Sequence, residues 1–558
     1  MPIIERTQGL RKAYINKNFI TLIILILTTT FYLYTLSPSL AWGDGVKLQS
    51  DAILGESFIL TEMSSTQFTP DPYPFAKVGV AAWDHPLYIM LCHILVKAFP
   101  FVNSLWLVNF ISAVFGIASV ILVFRLCYQY TESLFASSYA ALSLAVSHTF
   151  WWHSITPEVY TLFVFLLLLS MYFFGQFEQN SKISALIYSG FFLGLAASNH
   201  ILAFLALPAW GLYILLAKYH LHFDINNFKK IMLALFGFLA GFSIYIVQFI
   251  RVSRSIPLDK LTGSSVGSTF LSSLVAISPA VLGESLLNYL LFLVLQFGPI
   301  GVILGVIGIR RIFANTDPHV RKIIACFIVF TFFGILYRVT DQFAFFLTSH
   351  VFFAMLMGVG LNHILKTLQE KLRLILTSIL ILTILLTPPF YHSIPRLAEL
   401  NGVDDSFLKI PQIGTGVRNG FAYYLDPYKR GDFNAYHFGR ETISNLAPNS
   451  IVVAEWYTDT DEYFVLRYFN KVEGLRSDVI ILGWPTDDPF SFDSQLVLKV
   501  IEDSYPDHPI YLASLSDKFY ASSTLVELFC IVPENNLYRL YPKEAMTLDC
   551  LGVDSVTE

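Results

Sequence analysis

Asn18-Phe-Ile-Thr-Leu-Ile-Ile-Leu-Ile-Leu-Thr-Thr-Thr-Phe-Tyr-Leu-Tyr-Thr-Leu-Ser37 holds no charge and runs on into Trp42-Gly43-Asp44-Gly45. Such a run is long enough to cross a bilayer as a helix. The flank before it holds Arg6, Arg11, Lys12 and Lys17, which predicts a cytoplasmic N-terminus. The run is longer than a signal h-region and lacks a small-x-small cleavage pattern, so it is expected to stay as a helix. Asp44 is then the first acid beyond the membrane. A carboxylate held at that surface is a functional candidate, although Gly-Asp-Gly also makes a good turn. Asp51, Glu56, Glu62, Asp71 and Asp84 follow, in what reads as a long acidic loop over residues 38–103.

Working outward, the composition fits the same picture. Of 558 residues, 55% are hydrophobic, 14% are charged and 50 are phenylalanine. A water-soluble domain does not carry that load, so the chain reads as an α-helical polytopic membrane protein. Apolar runs at 18–37, 104–124, 134–150, 159–175, 185–198, 201–216, 231–250, 286–309, 323–337, 343–365 and 374–390 predict about 11 crossings. The segment from His85-Pro86-Leu87-Tyr88 to Phe101 is short and carries His93 and Lys97, so it reads as a helix lying in the interface. Counting it as a crossing would place Arg310, Arg311, Arg321 and Lys322 outside, against the positive-inside rule.

Residues 391–558 are more polar and fall outside the cytoplasm by the crossing count. Strands are expected at 450–454, 479–482 and 509–513, a helix at 458–469, and a closing hairpin from 529–532 and 537–540. That alternation predicts a small extracytoplasmic α/β domain after a membrane domain of residues 1–390. Cys530 and Cys550 suit a disulfide if this side is oxidising, which spacing alone leaves open. No phosphate-cradling glycine motif, zinc spacing or Ser/His/Asp signature stands out in this segment, and no nucleic-acid partner is expected.

Several polar clusters fall on one external face in this topology. They are Gly43-Asp44, Trp83-Asp84-His85, the stretch from His153 through Glu158 to Tyr160, Asn199-His200, and Asp341 beside Arg338. Singly, each reads as a capping or snorkelling residue at a span end. Together they read as a cavity at the membrane–water boundary.

The chain resembles the GT-C membrane glycosyltransferases, and within them the group containing the transmembrane protein 260 O-mannosyltransferase and its bacterial relatives. The resemblance is carried by Tyr34-Thr35-Leu36-Ser37-Pro38-Ser39 with Trp42-Gly43-Asp44, and by His85-Pro86-Leu87-Tyr88. Thr149-Phe150-Trp151-Trp152, Pro157-Glu158-Val159-Tyr160-Thr161-Leu162 and the run from Gly194 to Asn199-His200 extend it. Leu446-Ala447-Pro448-Asn449-Ser450-Ile451 and Val472-Glu473-Gly474-Leu475-Arg476-Ser477-Asp478-Val479 carry it into the second half. Two departures stand out. Asp44 is followed by Gly45-Val46-Lys47 where relatives continue Ser-Gly-Glu, and His85-Pro86-Leu87-Tyr88 shortens the usual His-Pro-Pro-Gly-Tyr-Pro.

The resemblance implies a sugar donor linked to polyprenyl or dolichyl phosphate, and an acceptor hydroxyl on protein or glycan. It assigns Asp44 as the general base. Glu158 is a second catalytic candidate. His85, Tyr160, Asn199, His200 and Asp341 are candidates for binding substrate, and Arg251, Arg254 and Arg338 for the departing phosphate. A divalent metal on Glu158 with His85 or His153 stays open, with no ligand spacing behind it, and no other cofactor is expected. Two other readings stay open at this stage, a lipid or solute transporter or flippase and an inactive membrane scaffold. Transporters tend to show internal repeats and midplane polar sites, whereas here the polar residues gather at one outer end.

Overall fold

In lipid, backbone polar groups must be satisfied within the chain, so apolar runs become helices. The computed structural model describes residues 2–55, 85–217, 225–253, 278–314, 318–337, 342–403, 420–454, 462–483, 494–505, 507–543 and 550–551. Asp84, Arg254, Arg338 and Asp341 lie outside the described residues. The helices are α1 Pro2–Thr35, α2 Asp44–Leu54, α3 Pro86–Ala98, α4 Ser104–Thr131, α5 Leu134–Ala145, α6 His148–Ile155 and α7 Tyr160–Asn180. They continue as α8 Ile183–Asn199, α9 Ala206–Ala217, α10 Ile225–Ser253, α11 Pro279–Ala314, α12 Pro318–Leu336, α13 Leu347–Thr367 and α14 Glu370–Leu400.

Among the described residues, seven helices are long and apolar enough to cross a membrane: α1, α4, α7, α10, α11, α13 and α14. Others at expected crossings are shorter, with 12 residues in α5 and 17 in α8. Helix α3 has 13 residues, about 20 Å of helix, which falls short of a hydrocarbon core of about 30 Å.

Three expectations need correction. The start of the acidic loop is a helix, α2. Lys47 and Asp51 meet across one helical turn at 2.8 Å, and Gly55 closes the end at φ 79°, its N–H donating to Asp51 O at 2.8 Å. The expected span at 134–150 breaks between α5 and α6. Polar groups there bond to distant helices instead of continuing one helix: Thr149 N–H donates to Gln296 Oε1 at 2.9 Å, and His148 N–H to the Tyr391 hydroxyl at 3.3 Å. The run at 201–216 starts as a 3-10 turn, Ile201–Leu205, before α9.

Helix α13 lies inside the bundle and is buried along most of its length. Helices α8 and α10 cross through glycines. A Cβ added at Gly194 would sit 2.0 Å from Phe238 O, and one at Gly241 would sit 2.1 Å from Phe191 O. Small residues let two backbones meet in this way, an established means of pairing helices in lipid. The crossing fixes the end of α8, where the Ser198 hydroxyl donates to Gly241 O at 3.0 Å.

After α14 come α15 Gly420–Leu425 and α16 Asn434–Asn445, then β1 Ile451–Ala454, α17 Glu462–Arg467, β2 Ile480–Gly483, α18 Ser494–Ser504, β3 Ile510–Leu512, β4 Phe529–Glu534 and β5 Leu537–Pro542. The sheet order is β2-β1-β3-β5-β4. The first three strands run parallel, and the last two form an antiparallel hairpin on β3. Asn535 and Asn536, both with positive φ, make the tight turn. The expected strands and hairpin are therefore present. Of the helix expected at 458–469, residues 462–467 form α17, and residues 458–461 lie outside the described set. Helices α16 and α18 were not foreseen. Cys530 and Cys550 are disulfide-bonded, with a Cα–Cα distance of 5.1 Å.

The two faces of this sheet have different neighbours. Ile451, Val453, Ile510, Leu512, Ile531 and Leu540 form one core with Val497 and Ile501 of α18. Val452, Ala454, Ile481 and Tyr511 form the other with α16 and α17, and that core also contains Leu40, Trp42, Val46 and Leu105. The stretch that follows α1 is thus built into the C-terminal domain, and the two lie on the same side of the bundle.

Candidate functional site

Asp44 opens α2, directly after Gly43 at φ 70° and ψ −149°, a backbone geometry suited to glycine. Its position is set from several directions. Trp42 is buried, with its ring 5.5 Å from that of Phe438. Gln49 of α2 accepts from Ala41 N–H at 3.1 Å and donates to Asn109 Oδ1 at 2.9 Å, while Asn109 donates to Ser37 O at 2.9 Å. A Cβ on Gly45 would meet Ala41 Cβ and Pro157 Cγ at 2.9 Å. Only a glycine there lets the Pro157-Glu158 turn lie against the first turn of α2.

Trp42, Gly45, Val46 and Lys47 are buried, whereas Asp44 is exposed. Asp44 is therefore the solvent-reached point of a recess. The surrounding protein pushes the Asp44 carboxyl pKa up, and Lys47 pulls it the other way. Lys47 also acts electrostatically on His85, so this cation is within electrostatic reach of both. Helices α2 and α3 run side by side, pinned further along where His93 Nδ1 meets Ala52 O at 2.8 Å.

His85 precedes α3 with φ 43°, a strained left-handed conformation. Its Nδ1 lies 2.7 Å from Asn199 O, and its ring stacks on His200 at 5.1 Å. Burial pushes the His85 pKa down to about 4. Tyr160 packs beside His200 at 5.2 Å and beside His153 at 5.2 Å. Asn199 donates to Val159 O at 2.9 Å. The backbone of Glu158 is clamped by Ser112, which accepts from Glu158 N–H and donates to Glu158 O, both at 3.1 Å. Tyr88 OH in turn lies 2.9 Å from Ser112 Oγ.

The structure therefore gathers His85, Glu158, Tyr160, Asn199 and His200 into one cluster, reached from Asp44 across Lys47 and the Pro157 turn. Arg251 stands apart, exposed at the end of α10. The cation acting on both Asp44 and His85 is Lys47, which in the sequence stands out only as part of the departure from Ser-Gly-Glu. Its signal was present as the Lys47–Asp51 spacing of one helical turn ahead of Gly55. Tyr88 and Ser112 were also missed, and no spacing in the chain links them to Glu158. Among the described residues, no three His, Cys, Asp or Glu side chains come together as a metal-ligand set.

Residues 84–222 match the family model described as the protein O-mannosyl-transferase TMEM260 N-terminal domain. That segment contains His85, Glu158, Tyr160, Asn199 and His200. No curated protein matches the chain. The crystal structure of ArnT from Cupriavidus metallidurans in the apo state superposes with a TM-score of 0.54 at 11% identity, over 95% of this chain and 98% of that one. The same protein bound to undecaprenyl phosphate gives 0.53 at 10% identity, over 94% and 97%. The S. cerevisiae Pmt1-Pmt2 protein O-mannosyltransferase complex bound to the sugar donor gives only 0.33 at 18% identity, over 44% and 34%. The chain thus has the GT-C membrane fold of ArnT, and through residues 84–222 it resembles the TMEM260 family of protein O-mannosyl-transferases.

Proposed function

We propose that the chain is an integral-membrane glycosyltransferase that moves a sugar from a polyprenyl- or dolichyl-phosphate donor to an acceptor hydroxyl on the extracytoplasmic side. The observation that carries this reading is Asp44. It is an exposed carboxylate at the head of a buried helix, beside Lys47 and the His85–Asn199–His200 cluster. Support comes from the family match and from the ArnT fold, one structure of which holds undecaprenyl phosphate.

The chemistry is a single displacement. The acceptor oxygen bonds to the anomeric carbon as its proton passes to the Asp44 carboxylate. The bond between the anomeric carbon and the phosphate oxygen breaks, and the lipid phosphate leaves with the electron pair. One displacement inverts the anomeric centre. A raised pKa makes the ionised Asp44 carboxylate a stronger base than an ordinary aspartate. Lys47, buried and paired with Asp51 at 2.8 Å, adds positive charge to the surroundings of Asp44. Glu158 orients sugar or base. The acceptor is a hydroxyl on protein or glycan, and the C-terminal domain shapes its approach by holding Trp42. The Cys530–Cys550 disulfide supports an extracytoplasmic place for that domain, since disulfides persist in oxidising compartments.

Asp44→Asn tests the assignment. It keeps shape and removes the base, so transfer should fall roughly 10²–10⁴-fold with donor binding little changed. Near-normal turnover in a folded, donor-binding Asp44→Asn protein would remove Asp44 from the mechanism. Movement of sugar lipid across vesicles with no transfer in the wild type would favour a flippase instead.

A further inference from the structure

The tautomers of His85 and His200 follow from their backbone partners. A carbonyl oxygen only accepts, so His85 Nδ1, 2.7 Å from Asn199 O, carries the proton. The neutral ring then keeps Nε2 as a bare acceptor. In His200, Nδ1 accepts from Leu202 N–H at 3.1 Å, so Nε2 carries the proton and donates. Two rings stacked 5.1 Å apart thus present one acceptor and one donor. Asn199 adds a third group. It is 1% exposed, its amide donates to Val159 O, and among the described residues its Oδ1 has no hydrogen-bond partner. A buried amide oxygen left in this state is costly unless a water or a ligand brings a donor.

This set suits neither an anion nor a metal ion. A phosphate needs donors, and of the three open positions only one donates. A metal ion needs lone pairs, and the proton on His200 Nε2 blocks one. A hydroxyl brings both a proton and lone pairs. Resting on the sugar-transfer reading above, we infer that His85, Asn199 and His200 form a subsite for two neighbouring hydroxyls of the donor's sugar ring. One hydroxyl accepts from His200 Nε2 and donates to His85 Nε2. The other donates to Asn199 Oδ1. The Tyr160 ring, 5.2 Å from His200, supplies an apolar wall.

The test uses the full chain in detergent and measures binding of undecaprenyl phosphate and of its mannosyl, glucosyl and galactosyl forms. The wild type should bind at least one sugar lipid roughly tenfold tighter than the bare lipid. Removing a contacted hydroxyl from that sugar should cost about 3- to 10-fold, the yield of one neutral hydrogen bond. His200→Phe and Asn199→Leu should each erase discrimination against the matching deoxy sugar and leave binding of bare undecaprenyl phosphate unchanged. Equal binding of all lipids by the wild type, or a variant that keeps full discrimination, overturns the subsite. If a variant does not fold, the wild-type deoxy series decides alone: no loss for any missing hydroxyl overturns it. Transfer is scored separately, so intact discrimination without transfer would sink the enzymatic reading and leave the subsite standing.

Discussion

The two ends of α7 both hold polar groups buried in the bundle, and they are built on opposite lines. At its C-terminal end Glu178 meets Lys322 of α12 and accepts from the Tyr213 hydroxyl at 2.5 Å. Lys322 also lies over the rings of Phe174 and Tyr213, at 5.4 and 5.8 Å. Charge is answered by charge, and three helices are tied together. Beside its N-terminal end, His85, Asn199 and His200 keep an acceptor, an amide oxygen and a donor open. Burial is common to both clusters, so burial does not mark the site. Hydrogen-bonding capacity is what differs between the two clusters, although unpartnered buried atoms also occur elsewhere among the described residues, as at both ring nitrogens of His350.

The first way to break this comparison is Lys322→Met. It strands Glu178 in the bundle, and loss of one partner of a buried pair costs roughly 3–5 kcal/mol. Thermal unfolding in detergent should show a large drop, most of it recovered in the Lys322→Met/Glu178→Leu protein. A silent Lys322→Met would mean that the pair is not holding the bundle. Tyr213→Phe comes next. It removes one donor to a buried carboxylate, worth about 1.5–3 kcal/mol, and should lower stability while transfer per folded molecule stays at the wild-type level. A selective loss of transfer would make this end part of the site after all.

The smallest effect is a displacement along the pH axis. The recess raises the Asp44 pKa, and the base works only when ionised. Transfer should therefore be full above that raised value and fall as pH drops through it. The acid limb should lie above the ordinary aspartate value of about 3.9. Residual transfer by Asp44→Asn should lack the limb, and Glu178→Gln should keep it. The same limb in Asp44→Asn would assign it to another group.

The sequence made the outer cluster legible because its members sit in short local motifs at span ends: Gly43-Asp44, His85-Pro86, Glu158-Val159-Tyr160 and Asn199-His200. The inner pair was hidden. Glu178 and Lys322 are far apart in the chain, and each alone looks like a snorkelling charge. The strands of the C-terminal sheet were readable from Ile451-Val452-Val453 and Ile480-Ile481-Leu482, whose apolar runs admit little else. Helix α2 was misread for a physical reason. Asp51 looks like a solvated loop acid, yet its side chain is 1% exposed, against Lys47 at 6%. Arg251, Arg254 and Arg338 were named for the leaving phosphate because topology gives only a side of the membrane, and a side is much wider than a site; Arg254 and Arg338 lie outside the described residues.

The shared core of Trp42, Val46, Phe438 and Phe464 has a consequence for how this molecule can be divided. The module containing Asp44 is not contiguous in the gene. It joins residues 40–54 to a domain some four hundred positions later. Grafting the C-terminal domain of a relative onto this chain would leave Trp42 facing a foreign surface, and the carboxylate two residues away would lose its bearing. Chimeras with a protein of the same fold should therefore keep Trp42 packed only when the two segments are exchanged together.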